Sequence, residues 1–381
     1  MDLVRFPIWL ANGYSKYTRS GFEKKAKEFN PQALDVSLTG KVAIVTGKPL
    51  HEDEQVQLAA EVRRRQLADC VCANSGIGRQ TSLELLSKGA TVHMVCRNPD
   101  RAREARDLVL KEAKETVING PTAEALEANL HLVDNVSMDD PRSVRAFAEQ
   151  FTDRADSRCN ILINNAGALL TEHQTTKDGL ETSWATNTLG TYYLTELLIP
   201  VLARSTDPRV ITVSSGGMFL AKLDMDNPQS THPQGSSFNG NQSYSQEKRQ
   251  QVELTTLWAA KYGGASANGH PITFLSLHPG WVDTPGIQSS LPSFHKMIGK
   301  NLRTLPQGVD TVLWAAVSPE ALKVPNGSFL EDRKAISPHL SFCRTHSEAG
   351  DPEKLYKYCH DTVTKIMGDH AFYSPSKSAK V

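Results

Sequence analysis

Short apolar runs recur along the chain, each followed by a longer stretch in which apolar residues return every three or four positions. The runs are VAIV (Val42–Val45), TVHMVC (Thr91–Cys96), LHLV just before Asp134, NILIN (Asn160–Asn164), RVITVSS ending at Ser215, and PITFLSLHPG. Short runs apolar enough to be buried on both faces predict strands of a parallel sheet. Between them lie helical patterns. Ile77, Thr81 and Leu85 share one stripe after Gly76, and DRAREARDLVLKEAKETV and RSVRAFAEQF read as helices. So do the region Gly179 to Leu202, YSQEKRQQVELTTLWAAKY and GVDTVLWAAVS. Strand and helix alternate, which predicts an α/β fold: a doubly wound parallel sheet with helices on both faces. Ligands of such sheets bind at the carboxyl ends of the strands, so those ends are where chemistry is sought.

Composition narrows the picture. With 39% hydrophobic and 22% charged residues in 381, the chain reads as globular. Its 42 basic residues match its 42 acidic ones, which gives no electrostatic case for nucleic acid. The six cysteines form no zinc-type pairs of pairs, no metal site is predicted, and the absence of a disulfide framework suits a reducing compartment. No segment has the ~18 apolar residues needed to span a bilayer. The short run Phe6 to Ala11, broken by Pro7, is no signal peptide, so the expected location is intracellular, cytoplasmic or membrane-peripheral, not secreted. Phe22, Ala26 and Phe29 share a helical stripe that fits either a membrane surface or the protein's own body, the second being favoured.

The strand ends carry the candidate chemistry. After the first strand come Thr46 and Gly47, then, past the 25 residues Lys48 to Cys72 and the pair Ala73–Asn74, come Ser75, Gly76, Ile77 and Gly78. Glycines there let the backbone approach a pyrophosphate at a helix amino terminus. After the second strand, Arg97 and Asn98 stand where an acidic residue would take a ribose 2′-hydroxyl. Arg97 can pair with a 2′-phosphate, which points to NADP over NAD. Asp134 follows the third strand, within reach of an adenine. The fourth ends in NNAG, with Asn165, Ala166 and Gly167 able to touch a cofactor or brace neighbouring loops. Asn187 lies mid-helix, where a buried amide must be used. Ser214 and Ser215 end the fifth strand, and Tyr244 and Lys248 stand four apart on one helix face. An ammonium beside a tyrosine would lower its pKa toward that of a usable base, and a serine hydroxyl can hold a substrate oxygen.

Together, TG…ANSGIG, NNAG, ATNTLG, VITVSS, YSQEK and HPGWVDTP resemble the short-chain dehydrogenase/reductase family over roughly Gly40 to Leu340. The resemblance implies a Rossmann fold, NAD(P)-dependent hydride transfer to or from an alcohol or carbonyl, and pairing of two copies through long helices. It assigns Tyr244 as acid/base, Lys248 to the nicotinamide ribose, and Ser215 to the substrate oxygen. It assigns Asn187 to a proton-relaying water and Thr284 to the nicotinamide end. Ile287, Leu291, Phe294, Met297 and Ile298 fit a lipophilic substrate pocket or, equally, a packed helix.

The departure is Lys48 to Cys72, inside the phosphate turn. Such loops usually have 2 to 6 residues. Extruding this one costs about 3 kcal/mol of loop entropy, but the turn needs its two halves adjacent. The expected organisation is an amino-terminal extension (1–39), a dehydrogenase domain (40–340) carrying the 48–72 insertion, and a carboxy-terminal extension (341–381). The expected function is an NADP(H)-dependent oxidoreductase on a small-molecule alcohol or carbonyl. The alternative is a non-catalytic form whose cofactor site is impaired.

Overall fold

The computed structural model describes residues 5–47, 75–118, 120–153, 157–231, 238–264, 270–341 and 343–372. The inserted stretch 48–72 and the terminal YSPSKSAKV lie outside these residues. The strands are β1 (Val42–Thr46), β2 (Thr91–Val95), β3 (Leu130–Val133), β4 (Ile161–Asn164), β5 (Arg209–Val213), β6 (Thr273–Leu277), β7 (Phe329–Glu331) and β8 (Lys334–Ile336). They form one eight-stranded sheet in the order β3-β2-β1-β4-β5-β6-β7-β8, parallel except for β8. The apolar runs predicted the first six. The last two are three residues each, too short for a run to register, and are joined by Asp332 and Arg333, both at positive φ (46° and 60°).

Alternate strand residues enter different cores, which is why the runs are apolar throughout. Ala43, Val45, Ile161 and Ile163 pack on one side, Ile44 and Leu162 on the other. The first side is covered by α3 (Gly76–Ser87), α4 (Pro99–Thr116), α5 (Ala123–Asn129) and α11 (Leu305–Val317). The second is covered by α6 (Pro141–Thr152), α7, α8 (Gly240–Tyr262) and α12 (Asp351–Met367). In α7, Thr182–Trp184, a π-helical Ala185–Gly190 and Thr191–Ala203 run on as one helix. It begins three residues after the predicted Gly179, which sits in the preceding turn at φ +75°. Two short helices follow β6: α9 (Pro285–Ser290) and α10 (Pro292–Ile298). In the stretch read as a carboxy-terminal extension, α12 inserts Leu355, Cys359 and Val363, a stripe at i, i+4 and i+8, into the second core.

The amino-terminal stretch folds back onto the same body as α1 (Arg5–Lys16) and α2 (Arg19–Ala26). Pro7, which interrupts the apolar run in the sequence, sits in the first turn of α1, where a missing N–H costs nothing. The Phe22/Phe29 stripe rests on the protein itself: the rings meet edge to face at 5.8 Å, with Arg303 over Phe22 (5.1 Å) and Arg333 over Phe29 (4.4 Å). Among the described residues no helix is long and apolar enough to cross a membrane.

From β1 the strand order runs outward to β2 and β3 on one side and to β4 on the other. The crevice of a doubly wound sheet opens at that reversal, above the carboxyl ends of β1 and β4.

Candidate active site

Thr46 zips the two strand ends together. Its hydroxyl donates to Ile163 O (3.3 Å) and accepts Asn165 N and Ala166 N (3.2 Å each), while Asn165 Nδ2 donates to Thr46 O (3.1 Å). The NNAG turn therefore does brace its neighbours. Gly47 N bonds Val95 O (3.1 Å). Beyond the inserted stretch Ser75 is extended, and Gly76 opens α3 at φ +52°, a conformation that favours glycine. A Cβ on Gly76 would stand 3.5 Å from Thr284 Cγ2, so the glycine turn and the loop after β6 adjoin. Thr284 caps α9 by accepting Ile287 N (3.3 Å). At Gly167 a Cβ would lie 3.2 Å from Lys248 Nζ and 3.4 Å from Asn187 Oδ1, so only a bare backbone passes there without displacing them.

Residues 244, 247, 248 and 251 share one face of α8. Ser215 and Tyr244 line the same cavity, and Lys248 Nζ lies 5.5 Å from the Tyr244 ring centroid. Ser214 Oγ donates to Lys248 O (2.8 Å), tying α8 to the end of β5. The sequence suggested that the ammonium would lower the tyrosine's pKa. Here Tyr244 is instead pushed up to about 12, by burial first, with the neighbouring Ser215 opposing and Glu247's charge adding. Lys248 is pulled down to about 8 by burial, with Glu247's charge opposing, and its ammonium donates to Val213 O and Gln251 Oε1 (both 3.0 Å) rather than to the phenol.

Asn187 occupies the π-helical turn, a distortion frequent at functional sites. Its side chain bonds both polar groups of Ala168, accepting from N and donating to O (2.7 Å each). Its own carbonyl accepts Gln251 Nε2 (2.6 Å). The Gln251 amide thus links the Asn187 carbonyl to the Lys248 ammonium.

Beneath this lies a buried carboxyl pair that sequence reasoning missed. Glu181 caps the start of α7, accepting Ser183 N (3.1 Å) and Trp184 N (2.6 Å). Ser183 Oγ is 3.0 Å from Glu181 Oε2 and also bonds Glu247 Oε1, and Asn187 Nδ2 bonds Glu247 Oε2. A hydroxyl has one proton to give, so it cannot donate to both carboxyls. Glu181 receives two backbone N–H groups and suits a charge; Glu247 therefore holds the extra proton and donates to Ser183. Burial first and Glu181's charge second push Glu247 up to about 8, in agreement with that assignment. The available signal was its place in YSQEK, on the same stripe as Tyr244.

The second and third strand ends lie to one side of the crevice. Arg97 follows β2 and is half-buried. Asn98 beside it is spoken for as the cap of α4, accepting Arg101 N (3.0 Å). Asp134 is 3.8 Å from Arg103 Nη1.

A cavity of about 570 Å³ opens onto Ser215, Tyr244 and Lys248. The apolar segment after Thr284 divides between its two predicted roles. Ile287, Leu291 and Phe294 line the cavity, whereas Ile298 is buried in the core (1% exposed) and Met297 faces solvent (59%). Phe6 and Trp9 of α1 also line it, which no motif announced.

A family profile described as short chain dehydrogenase matches residues 68–222, beginning downstream of β1. Dehydrogenase/reductase SDR family member 12 from Bos taurus is 42% identical over 367 residues, covering 96% of this chain and all (100%) of that protein. Retinol dehydrogenase 12 from Bos taurus is 29% identical over 308 residues, 80% of this chain and 82% of that one. A short chain dehydrogenase from Escherichia coli CFT073, complexed with NADPH, superposes with a TM-score of 0.52 at 17% identity, over 79% of this chain and 99% of that chain, a likeness of fold. With the switch-point crevice and the Ser–Tyr–Lys arrangement above it, these matches establish that the chain is an oxidoreductase of the short-chain dehydrogenase/reductase family.

Proposed function

We propose that the chain is an NADP(H)-dependent oxidoreductase that moves a hydride between nicotinamide and a lipophilic alcohol or carbonyl compound, with Tyr244 as acid/base. The observation that carries this reading is that Ser215, Tyr244 and Lys248 come together on the wall of one apolar cavity, with Lys248 one helical turn from Tyr244. The residues fit a dinucleotide: the left-handed Gly76 opens α3, and Gly167 leaves its backbone bare against Lys248. Gly47, Ser75, Gly76, Ile77 and Gly78 would hold the pyrophosphate and Arg97 a 2′-phosphate. Asp134 would hold the adenine, Asn165, Ala166 and Gly167 the central portion, Lys248 the ribose and Thr284 the nicotinamide end. When bound, that group supplies or accepts the hydride.

The chain's own residues handle the oxygen and the proton. Ser215 and Tyr244 both hydrogen-bond the substrate oxygen. As negative charge develops there, the Tyr244 proton moves to it, and the phenolate left behind is held by the Ser215 hydroxyl. A tyrosine whose pKa stands at about 12 keeps its proton at neutral pH, which suits it to the acid role in carbonyl reduction. Apolar walls fit a lipophilic substrate, and retinol, named in one relative, is an alcohol of that kind. Tyr244→Phe is expected to lower turnover by about 10²–10⁴-fold while leaving NADPH binding, followed by fluorescence, intact. Full turnover by that variant would overturn the assignment.

A further inference from the structure

The amino-terminal helix is built into the wall of the site. Trp9 Nε1 donates to Gly216 O (2.7 Å), the residue after Ser215, so the indole's polar tip is satisfied beside the catalytic loop. Phe6 stacks on Trp9 (5.8 Å between centroids), and Trp9 meets Trp281 (5.3 Å) and Phe294 (6.5 Å), which meet each other at 5.0 Å. Two distant parts of the chain thus make one aromatic surface, and all four rings line the cavity that holds Tyr244.

The helix is fixed there. A Cβ on Gly13 would fall 2.2 Å from Trp281, so α1 lies directly against that indole because position 13 has no side chain. Trp281 N donates to Tyr17 O (2.8 Å), Arg303 Nη2 to Lys16 O (2.7 Å) and Arg5 Nε to Cys343 O (2.8 Å). Among the described residues lining the cavity, Lys248 is the sole charged side chain. A charged substrate body would lose its hydration there without a partner.

We infer that α1 is a specificity-determining wall of the substrate site: Trp9 and Phe6 select a neutral substrate whose apolar body is large enough to reach them. This rests on the cavity being the substrate site of the Tyr244 reaction. Small carbonyl compounds engage Ser215 and Tyr244 without touching α1, and larger ones gain contact with its rings.

The test compares propanal with decanal as substrates of the full chain, following NADPH consumption. Trp9→Ala is expected to lower kcat/KM for decanal about tenfold, equivalent to about 1.4 kcal/mol, and to leave propanal within about twofold. Equal losses on both aldehydes, or no loss on either, would overturn the inference. Trp9→Phe keeps a ring and Phe6→Ala alters an exposed residue. If Trp9→Ala fails to fold, these two must still narrow the decanal/propanal ratio, and an unchanged ratio refutes the wall. Titration with 1-decanol gives a readout independent of turnover, and unweakened binding in Trp9→Ala or Phe6→Ala also refutes it. Tyr244→Phe separates the two readings. It should silence both aldehydes and spare decanol binding, so its failure would sink the acid/base role and leave the wall to be judged on binding.

Discussion

Exchanging Glu247 for Gln tests whether a proton, rather than a charge, sits beneath the active site. The geometry makes Glu247 a donor to Ser183 and an acceptor from Asn187. A glutamine offers the same pair, its Nε2 to Ser183 and its Oε1 to Asn187, so it imitates the neutral acid. Glu247 is raised from 4.5 to about 8, chiefly by burial. The folded state therefore binds this proton where the unfolded state does not. The resulting stability is fully present below pH 4.5 and is lost as pH rises toward about 8. One proton is worth at most about 1.4 kcal/mol per pH unit, or roughly 2.7 kcal/mol between pH 5 and 7. Urea unfolding of wild type and Glu247→Gln at pH 5, 6, 7 and 8 measures it. Wild type should lag the variant at pH 8 and gain on it as pH falls, by up to that amount between pH 7 and 5, so that the two lie closest together at pH 5. Glu247→Ala, which removes a partner from both Ser183 and Asn187, should cost about 1–3 kcal/mol in addition to its cavity. If instead Glu247→Gln lags at pH 8 and catches up in acid, the carboxyl is ionised in the fold and the proton assignment is wrong.

Arg97→Ala should lower the preference for NADPH over NADH at least about tenfold, a loss of charge-assisted hydrogen bonds to the 2′-phosphate; an unchanged ratio of kcat/KM values would remove Arg97 from that role. The full chain should bind NADPH in the micromolar range, because β1 through Gly47 and α3 from Ser75 keep strand-end and helix-start geometry on either side of residues 48–72. Binding seen only after deletion of 48–72, by fluorescence titration, would instead establish the impaired-site alternative. Carbonyl reduction should fall as pH rises through about 8, where Lys248 loses its ammonium, while Tyr244 keeps its proton to about 12; a pH–rate profile flat to pH 10 would contradict this.

What could be read from the sequence follows from how each feature is encoded. Strands buried on both faces announce themselves as apolar runs, so β1 to β6 and the crevice above them were legible, and the motifs at their ends named Ser215, Tyr244 and Lys248. Partners separated by long stretches of chain were not. Asn187 had to be used somewhere, but nothing local says that Glu247, sixty positions away, receives it. Phe6 and Trp9 read as a run spoiled by Pro7, because their meaning depends on Trp281 and on the missing side chain at Gly13. The segment after Thr284 resisted for a different reason: residues one helical turn apart, Phe294 and Ile298, go to the cavity and to the core, and periodicity treats them alike.

The helix carrying the chemistry departs furthest from its hydropathy. Its YSQEKRQQ stretch would pass for a solvated face, yet Ser245 through Gln251 are all buried. Burial of so many polar groups is unfavourable unless they find partners, and most here do, Gln246 Oε1 and Arg249 Nη1 being left without one among the described residues. Arg249 donates to Ala221 O (3.2 Å), Met218 O (3.1 Å) and Pro338 O (2.8 Å). Gln250 accepts from Trp184 Nε1 (3.0 Å) and Thr188 Oγ1 (2.7 Å) and donates to Pro228 O (2.7 Å). Lys248 and Gln251 bind each other, the end of β5 and the π-helical turn. An apolar helix could pack here with comparable stability, but it could slide or rotate against α7 at little cost. Directional bonds along every turn of the segment remove that freedom and hold the Tyr244 hydroxyl at one place relative to Ser215. The polar run is therefore what the proposed proton-donor role of Tyr244 would require, and its unsuitability as a core by composition alone is the reason most of its polar groups have to be hydrogen-bonded.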